Sequence, residues 1–238
     1  MIKKYDQFIF ESNIDGRLFG INYQSEFEKK LLIDSICKKY RIKNYTINPD
    51  GTVDVYGSVS LYNKNLTALP LKFGNVTSDF DCGCNYLTNL VGSPKVVGGY
   101  FNCSYNELTS LEDSPNIIDG SFACQGNKLT SLKGAPDKVN GSFSCFGNNL
   151  INFKYLPLAN GYSFGSNLGS NPIYEFLIYF KNYDDKRNLG EYLRLFEDIV
   201  QYPYLDDLEF EELAKTLKVQ LPEDWRDSVK SYKMLSKF

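Results

Sequence analysis

The residues best suited to chemistry are the cysteines, most of which recur at a fixed spacing. Cys82, Cys103, Cys124 and Cys145 follow one another at a constant interval, and Cys84 lies just beyond the first of them. Thiolates in a tetrahedral array bind zinc, so Cys82, Cys84 and Cys103 are a candidate metal site. This set lacks a fourth ligand, because the chain has no histidine and no Cys-x-x-Cys pair. A small, weakly polar thiol also suits a narrow core, and we therefore expect buried, reduced cysteines and no metal.

A second candidate site is an acidic cluster in the C-terminal part of the sequence. Its members are Asp206, Asp207, Glu209, Glu211 and Glu212. Paired carboxylates act as general acids and bases or bind cations, but histidine, their usual companion in catalysis, is missing. Acidic residues in the first turn of a helix commonly complement the helix dipole. We expect that structural role, with no catalytic residue and no cofactor. An enzyme that acts through the C-terminal helices is the alternative.

Composition excludes several classes of protein. The 238 residues are 42% hydrophobic and 23% charged, which is typical of a globular protein. The formal net charge is −3, whereas nucleic-acid binding demands a basic face that neutralises phosphates. No apolar run reaches the roughly 18 residues that span a bilayer, and the N-terminus lacks the apolar core of a secretory signal. We expect neither nucleic acid nor a membrane as a partner.

A repeat with a 21-residue period occupies the middle of the chain and contains the regularly spaced cysteines. Residues of one type recur once per repeat, and we call each such set a column. The clearest columns are leucine (Leu66, Leu87, Leu108, Leu129, Leu150), phenylalanine (Phe80, Phe101, Phe122, Phe143, Phe164) and proline (Pro94, Pro115, Pro136, Pro157). So many coincident registers predict a solenoid of stacked coils.

The repeated unit reads Phe-x-Cys-x-x-Asn-x-Leu-Thr-x-Leu and resembles the leucine-rich repeat. The resemblance implies an α/β solenoid whose short parallel strands, at the Phe-x-Cys step, form a sheet on the concave face. Phe101 and Cys103 then point inward, and Tyr100, Asn102 and Ser104 point outward. An aliphatic column is expected to close the core from the convex side: Val76, Val97, Ile118 and Val139.

An asparagine column accompanies the cysteines and has a physical explanation. Where the chain leaves a strand, a side-chain amide bonds backbone groups that have lost their ladder partners. We therefore expect a structural ladder of Asn85, Asn106, Asn127 and Asn148, beside the inward cysteines.

The outward positions of the concave sheet are the predicted partner-binding face. Tyrosines among small polar residues provide contact area at low entropic cost. The predicted contact residues are Tyr62, Asp79, Asp81, Tyr100, Asn102, Ser104, Gln125, Ser144 and Phe146. The expected partner is a protein.

The flanks are predicted to cap the array, since terminal coils expose apolar surface. We expect four parts: a peptide over 1–11, an α+β cap over 12–52, repeats over 53–170 and a helical region over 171–238. In the N-terminal cap, Ser25 and Glu28 form a capping-box pattern that opens a helix. The apolar residues of this helix are Phe27, Leu31, Leu32 and Ile36. A strand near 45–47 and a turn at 49–51 follow it, and C-terminal helices are expected near 171–180, 189–200, 206–218 and 222–236.

The first residues, MIKKYDQFIFE, resemble the capsid-targeting peptide of internal head proteins in large contractile-tailed phages. The resemblance implies cleavage by a prohead protease after the aliphatic-x-Glu tripeptide, here Ile9 to Glu11, so that the mature chain begins at Ser12. The alternative is a short amphipathic helix, with Ile2, Tyr5 and Ile9 on one face, packed against the cap.

This resemblance implies a function. The protein would be packaged in the capsid interior of a virion and delivered to the host cytoplasm, where its concave face binds a host protein. The alternative is a structural virion component that contacts capsid or tail subunits. In either case the repeats act by protein–protein interaction.

Processing at this peptide is directly testable. Mass spectrometry of purified virions is expected to detect a semi-tryptic peptide beginning at Ser12. A Glu11→Gln chain should retain its N-terminal peptide, because the protease would no longer find its acidic residue. Particles that contain only uncleaved chain, or none of it, would contradict the prediction.

Overall fold

The computed structural model describes residues 26–163, 190, 193–194, 200–201, 204–229 and 233–234. Over 53–163 the chain is a parallel β-solenoid of about five turns with a period near 21 residues, flanked by short helices. No helix among the described residues is long and apolar enough to cross a membrane.

Each coil contributes two short strands, which stack into two parallel ladders. The valine ladder contains β2 (Val53–Val55), β4 (Phe73–Val76), β6 (Val96–Val97), β8 (Ile117–Ile118) and the first halves of β10 (Lys138–Ser144) and β11 (Leu158–Ser163). The phenylalanine ladder contains β3 (Val59–Ser60), β5 (Phe80–Asp81), β7 (Phe101–Asn102), β9 (Phe122–Ala123) and the second halves of β10 and β11. The strand β1 (Tyr45–Ile47) pairs antiparallel with β2 and covers the N-terminal end of the valine ladder.

The valine ladder corrects the expectation of a single sheet. The aliphatic column does close the core, but its residues also form strands, with Val76 paired to Val97 and Val97 to Ile118. A glycine bend separates the two ladders. A Cβ at Gly120 would lie 2.5 Å from the carbonyl carbon of Gly99, so only glycine lets successive coils approach this closely.

The core is a stack of phenylalanine rings along the solenoid axis. Phe80, Phe101, Phe122 and Phe143 are all fully buried. Neighbouring ring centroids are 5.7, 5.2 and 5.4 Å apart, and the last two pairs meet edge to face. Burying each ring contributes about 1.5–3 kcal/mol of transfer free energy, so this column is a principal source of stability.

The last coil departs from the register of the earlier ones. The pair of Val139 with Ala159 is already one residue short of the full period, and a register shift between Val139 and Ser142 removes one more, so that Phe143 pairs with Tyr162. Tyr162 therefore takes the inward position expected of Phe164, which lies outside the described residues. The phenol donates to Pro157 O at 2.7 Å and accepts from Ala159 N at 3.0 Å. A tyrosine fits this position because its hydroxyl satisfies backbone groups at the end of the ladder.

The asparagine ladder joins successive coils as predicted. Asn106 Nδ2 donates to Cys82 O in the preceding coil and to Cys103 O and Ser104 O in its own, at 3.1 to 3.2 Å. Its Oδ1 accepts from Leu87 N at 2.9 Å. The same pattern recurs at Asn85, Asn127 and Asn148.

The N-terminal cap contains the predicted helix, strand and turn. Helix α1 spans Glu26–Lys39, and Asp50 accepts hydrogen bonds from Thr52 in the turn before β2. The expected apolar face of the helix is partly wrong, because Phe27 and Leu31 are 68% and 52% exposed. The residues that pack on the array are Ile33, Ile36 and Cys37, together with the half-buried Leu32.

The described C-terminal elements mix helices and strands. A small sheet joins β12 (Val200–Gln201), β13 (Tyr204–Leu205) and β14 (Lys233–Met234), and the helices are α2 (Asp207–Thr216) and α3 (Trp225–Ser228). The helix predicted over 206–218 is confirmed. The helix predicted over 222–236 is shorter than expected and gives way to β14.

Residues of the acidic cluster cap α2 and join it to α3. Asp206 caps α2 by accepting from Glu209 N at 3.0 Å. The fully buried Asp207 receives Arg226 Nε at 2.8 Å, and Arg226 also bonds Glu211 at 2.8 Å. A buried carboxylate needs such a partner. The expected role at the start of a helix therefore holds for Asp206, which caps α2, and for the exposed Glu209 in its first turn, whereas the buried ion pair of Asp207 with Arg226 was not expected.

The asparagine ladder generates a stability prediction. We expect Asn106→Ala to lower the free energy of unfolding by about 2–4 kcal/mol, since several buried backbone groups in two coils lose their partners at once. Urea unfolding followed by circular dichroism measures the effect, with the exposed Asn149→Ala as the control. Equal unfolding midpoints for the two variants would contradict the ladder's role.

Candidate binding surface

The outward side of the phenylalanine ladder is the surface predicted to bind a partner. We call it the front face, defined by Ser58, Ser60, Tyr62, Asp79, Asp81, Gly83, Tyr100, Asn102, Ser104, Ser121, Ala123, Gln125, Ser142, Ser144, Phe146, Gly161 and Ser163. It is built by strand alternation, which turns these residues away from the buried phenylalanines and cysteines.

Two of the predicted contact residues are buried on this face. Asn102 is 8% exposed and Ser104 is 4% exposed. Asn102 Nδ2 donates to Asp81 Oδ1 at 2.8 Å, and Asn102 Oδ1 accepts from the backbone N and the hydroxyl of Ser104. The expectation that both side chains are open to a partner is wrong, because hydrogen bonds within and between coils occupy them.

A second set of polar side chains stabilises the bend between the two ladders. Ser58 Oγ accepts from Asp79 N at 3.3 Å, and Asp79 Oδ1 accepts from Tyr100 N at 2.8 Å. Ser121 Oγ accepts from Ser142 N at 3.0 Å. In each case the side chain of the residue just before the phenylalanine-ladder strand accepts from the backbone N–H of the equivalent residue in the next coil. These serines and Asp79 therefore have a structural function, although Asp79 keeps a second carboxylate oxygen on the surface.

The four regularly spaced cysteines are fully buried in the core. Cys82, Cys103 and Cys124 donate their thiols to Asn102 O, Ala123 O and Ser144 O of the following coils, at 3.2 to 3.4 Å. Burial raises the pKa of the Cys145 thiol to about 12 and holds the pKa of Cys103 well above its usual value. None of the six cysteines, all of which lie in the described part of the chain, forms a disulfide, and no group of three potential metal-binding side chains occurs within the described ranges.

The turn after each phenylalanine strand forces a left-handed backbone conformation. Asn63, Cys84, Tyr105, Gly126 and Gly147 occupy the same position in successive coils and have φ values between 52° and 66°. Left-handed geometry costs a residue with a Cβ roughly 1–2 kcal/mol relative to the right-handed region. Glycine is the unstrained choice here, and Tyr105 is the largest exception.

The ring of Tyr105 lies over the glycine of the next coil. A Cβ at Gly126 would be 2.5 Å from Tyr105 Cδ1 and 2.8 Å from Cε1. The ring is nevertheless 52% exposed, so it presents a fixed aromatic surface at the border of the front face. Tyr105 was not among the predicted contact residues, although an aromatic residue at a position that is glycine in the next two coils is a signal visible in the sequence.

Tyr62 joins the same surface from the first coil. It is 47% exposed, and a hydrogen bond with Cys84 is the largest cause that raises the pKa of its phenol, with the charge of Asp81 adding to the effect. Tyr86, which directly follows Asn85 of the asparagine ladder, is 55% exposed. We call Tyr62, Tyr86 and Tyr105 the tyrosine group, of which only Tyr62 was predicted.

The remaining predicted contacts are half-buried. Burial raises the pKa of Tyr100 to about 12, and the negative charge of Asp81 adds to this effect. Gln125, Ser144 and Phe146 lie farther along the front face with intermediate exposure. The predicted processing residues Ile9, Glu11 and Ser12 lie outside the described residues.

Comparison with protein-family models, with curated proteins and with solved structures finds no match to this chain. Its function is therefore inferred from its own residues.

The position of the Tyr105 ring is testable by a double-mutant cycle. Gly126→Ala is expected to destabilise the wild-type chain by about 2–3 kcal/mol, because the new Cβ meets the ring and the φ is left-handed. In a Tyr105→Gly background the steric part disappears, and the same change should cost only about 1 kcal/mol. Urea unfolding of the four chains gives the coupling free energy. A coupling near zero would show that the ring is not held over Gly126.

Proposed function

We propose that this chain is a non-enzymatic protein-binding module of the leucine-rich-repeat type, encoded by a tailed phage. It is packaged in the capsid and delivered to the host, where the front face and the tyrosine group bind a host protein. The observation that carries the binding function is Tyr105, a half-exposed ring at the border of the front face that occupies the left-handed position at which the next two coils have glycine.

Tyr105 keeps an unfavourable backbone conformation that a glycine would relieve. At the same turn the next two coils have Gly126 and Gly147, and glycine would likewise remove the strain at Tyr105. Backbone strain of this kind clusters at functional sites, where the side chain is needed despite its cost. The side chain here is an aromatic ring held over Gly126 and open to solvent.

Such a ring suits protein recognition for an entropic reason. Tyrosine supplies a large contact area with few rotatable bonds, and a ring already fixed loses little freedom on binding. Tyr62 and Tyr86 extend this area on the preceding coils, with 47% and 55% of their surfaces exposed. Interfaces concentrate their binding energy in such aromatic residues.

The repeat motif and the N-terminal peptide support the rest of the proposal. The Phe-x-Cys-x-x-Asn-x-Leu-Thr-x-Leu unit resembles the leucine-rich repeat, although these coils have a second parallel ladder in place of an irregular convex side. The MIKKYDQFIFE peptide resembles a capsid-targeting signal. Peptide and repeats together favour packaged cargo over an enzyme.

Affinity capture with a matched pair of variants tests the binding function. Tagged wild-type, Tyr105→Gly and Tyr155→Gly chains would be expressed in infected host cells, and proteins bound to each would be quantified by mass spectrometry. Tyr155 is the control because it is also left-handed, with φ 65°, and 50% exposed, but it lies outside the front face and the tyrosine group. We expect the captured protein to fall at least tenfold for Tyr105→Gly and to stay unchanged for Tyr155→Gly.

Three outcomes would count against the proposal. Equal capture by all three chains would move the interface away from the tyrosine group. Capture of a capsid or tail subunit, with the chain at symmetric positions in virion density, would favour a structural virion component. An enzymatic activity that survives Tyr105→Gly but is lost on changing Asp206 and Asp207 would favour catalysis by the C-terminal region.

A further inference from the structure

The charged side chains of the front face are all acidic. None of its residues, all of which lie in the described part of the chain, is lysine or arginine, while Asp79 and Asp81 are adjacent outward residues of a single coil. Lysines do occur in the turn that follows the strand of the phenylalanine ladder. There Lys64 stands in the asparagine column, and Lys128 forms an ion pair with Glu107. Asp79 is thus exposed and Asp81 half-buried on a face that has no basic side chain of its own.

Each carboxylate is oriented by hydrogen bonds that its own Oδ1 accepts. Asp81 Oδ1 accepts from Gly83 N at 2.9 Å and from Asn102 Nδ2 at 2.8 Å, and Asp79 Oδ1 accepts from Tyr100 N at 2.8 Å. A carboxylate offers about four acceptor positions on two oxygens, so each group keeps capacity for a further donor. Because both are already oriented, a partner's donor would meet them at little entropic cost.

Aromatic rings lie on the coils to either side of these carboxylates. Tyr62 belongs to the preceding coil and Tyr105 to the following one, and both are about half exposed. Tyrosine rings attract cations through their π-electron faces, and guanidinium groups also stack on them. An anionic centre with aromatic neighbours on both sides is complementary to a cationic side chain.

We infer that the partner presents a basic segment to the front face, with an arginine or lysine side chain bound at Asp79 and Asp81 and its stem against Tyr62 and Tyr105. The inference rests on the proposed binding function and specifies the chemistry of the partner. Arginine fits best, since its planar fork pairs with a carboxylate while its face stacks on an aromatic ring.

The probes are three fluorescent ten-residue peptides that alternate glycine with arginine, lysine or glutamate. Fluorescence anisotropy with the full chain measures their dissociation constants. We expect binding of the arginine peptide, weaker binding of the lysine peptide and none of the glutamate peptide. In the Asp79→Asn/Asp81→Asn double variant, affinity for the arginine peptide should fall at least tenfold. Both substitutions keep an oxygen at the Oδ1 position, so the fold is expected to survive, and thermal unfolding checks this.

The control variant removes the same kind of charge elsewhere. Asp119 is exposed on the valine-ladder side and accepts from Asn140 Nδ2 at 3.1 Å. Asp119→Asn and the exposed Asp137→Asn, combined, match the charge change of the front-face pair. We expect this control to bind the arginine peptide within twofold of wild type. An equal fall for both double variants would show a general charge effect and overturn the inference, as would binding of the glutamate peptide.

The inference and the proposed function fail separately. If Tyr105→Gly abolishes capture of the cellular partner while the Asp79 and Asp81 changes leave both capture and peptide affinity intact, binding stands and the basic segment is wrong. If the arginine peptide binds as expected but Tyr105→Gly leaves capture unchanged, the front face has the inferred chemistry and the proposed host-protein interface is wrong.

Discussion

Asn85, Asn106, Asn127 and Asn148 each hold the backbone of two consecutive coils, and the rest of the solenoid depends on these bonds. Each amide sits where the chain leaves the phenylalanine ladder and strand pairing ends. Its nitrogen reaches carbonyls of its own coil and of the preceding one, and its oxygen takes a donor from the preceding coil. With the turns fixed in this way, the phenylalanine rings stack along one axis and the cysteine thiols meet the carbonyls of the next coil.

The same turn creates the surface on which the functional proposal depends. A left-handed residue is required just before each asparagine, and glycine would be the least strained choice. The array uses Asn63 and Cys84 in its first coils, Tyr105 in the middle and glycine afterwards. Gly126 gives the Tyr105 ring space to lie against the next coil. A strained tyrosine and a permissive glycine one coil later together make a fixed, exposed aromatic surface.

Most polar groups of the front face stabilise the solenoid. Ser58, Asp79 and Ser121 satisfy backbone donors at the bend, and Asp81, Asn102 and Ser104 bond one another. A partner therefore meets a face whose hydrogen-bonding serines and amides are largely occupied. The features left for recognition are the tyrosine rings and the outer oxygens of two oriented carboxylates, so aromatic area and negative charge are what this face offers a partner.

Residue type and spacing alone predict the solenoid, its period, the inward phenylalanines and cysteines, the asparagine ladder and the start of the helix after Asp206. These features follow from short patterns in which residue type and spacing carry the physical cause. Tertiary structure decided the second ladder, the burial of Asn102 and Ser104, the replacement of Phe164 by Tyr162, and the exposure of Phe27 and Tyr105. Most of these depend on what lies in the adjacent coil, a full repeat away along the chain, and on a register that shifts at the end of the array. Residue pattern specifies which way a side chain points, but only the neighbouring coil determines whether that side is covered.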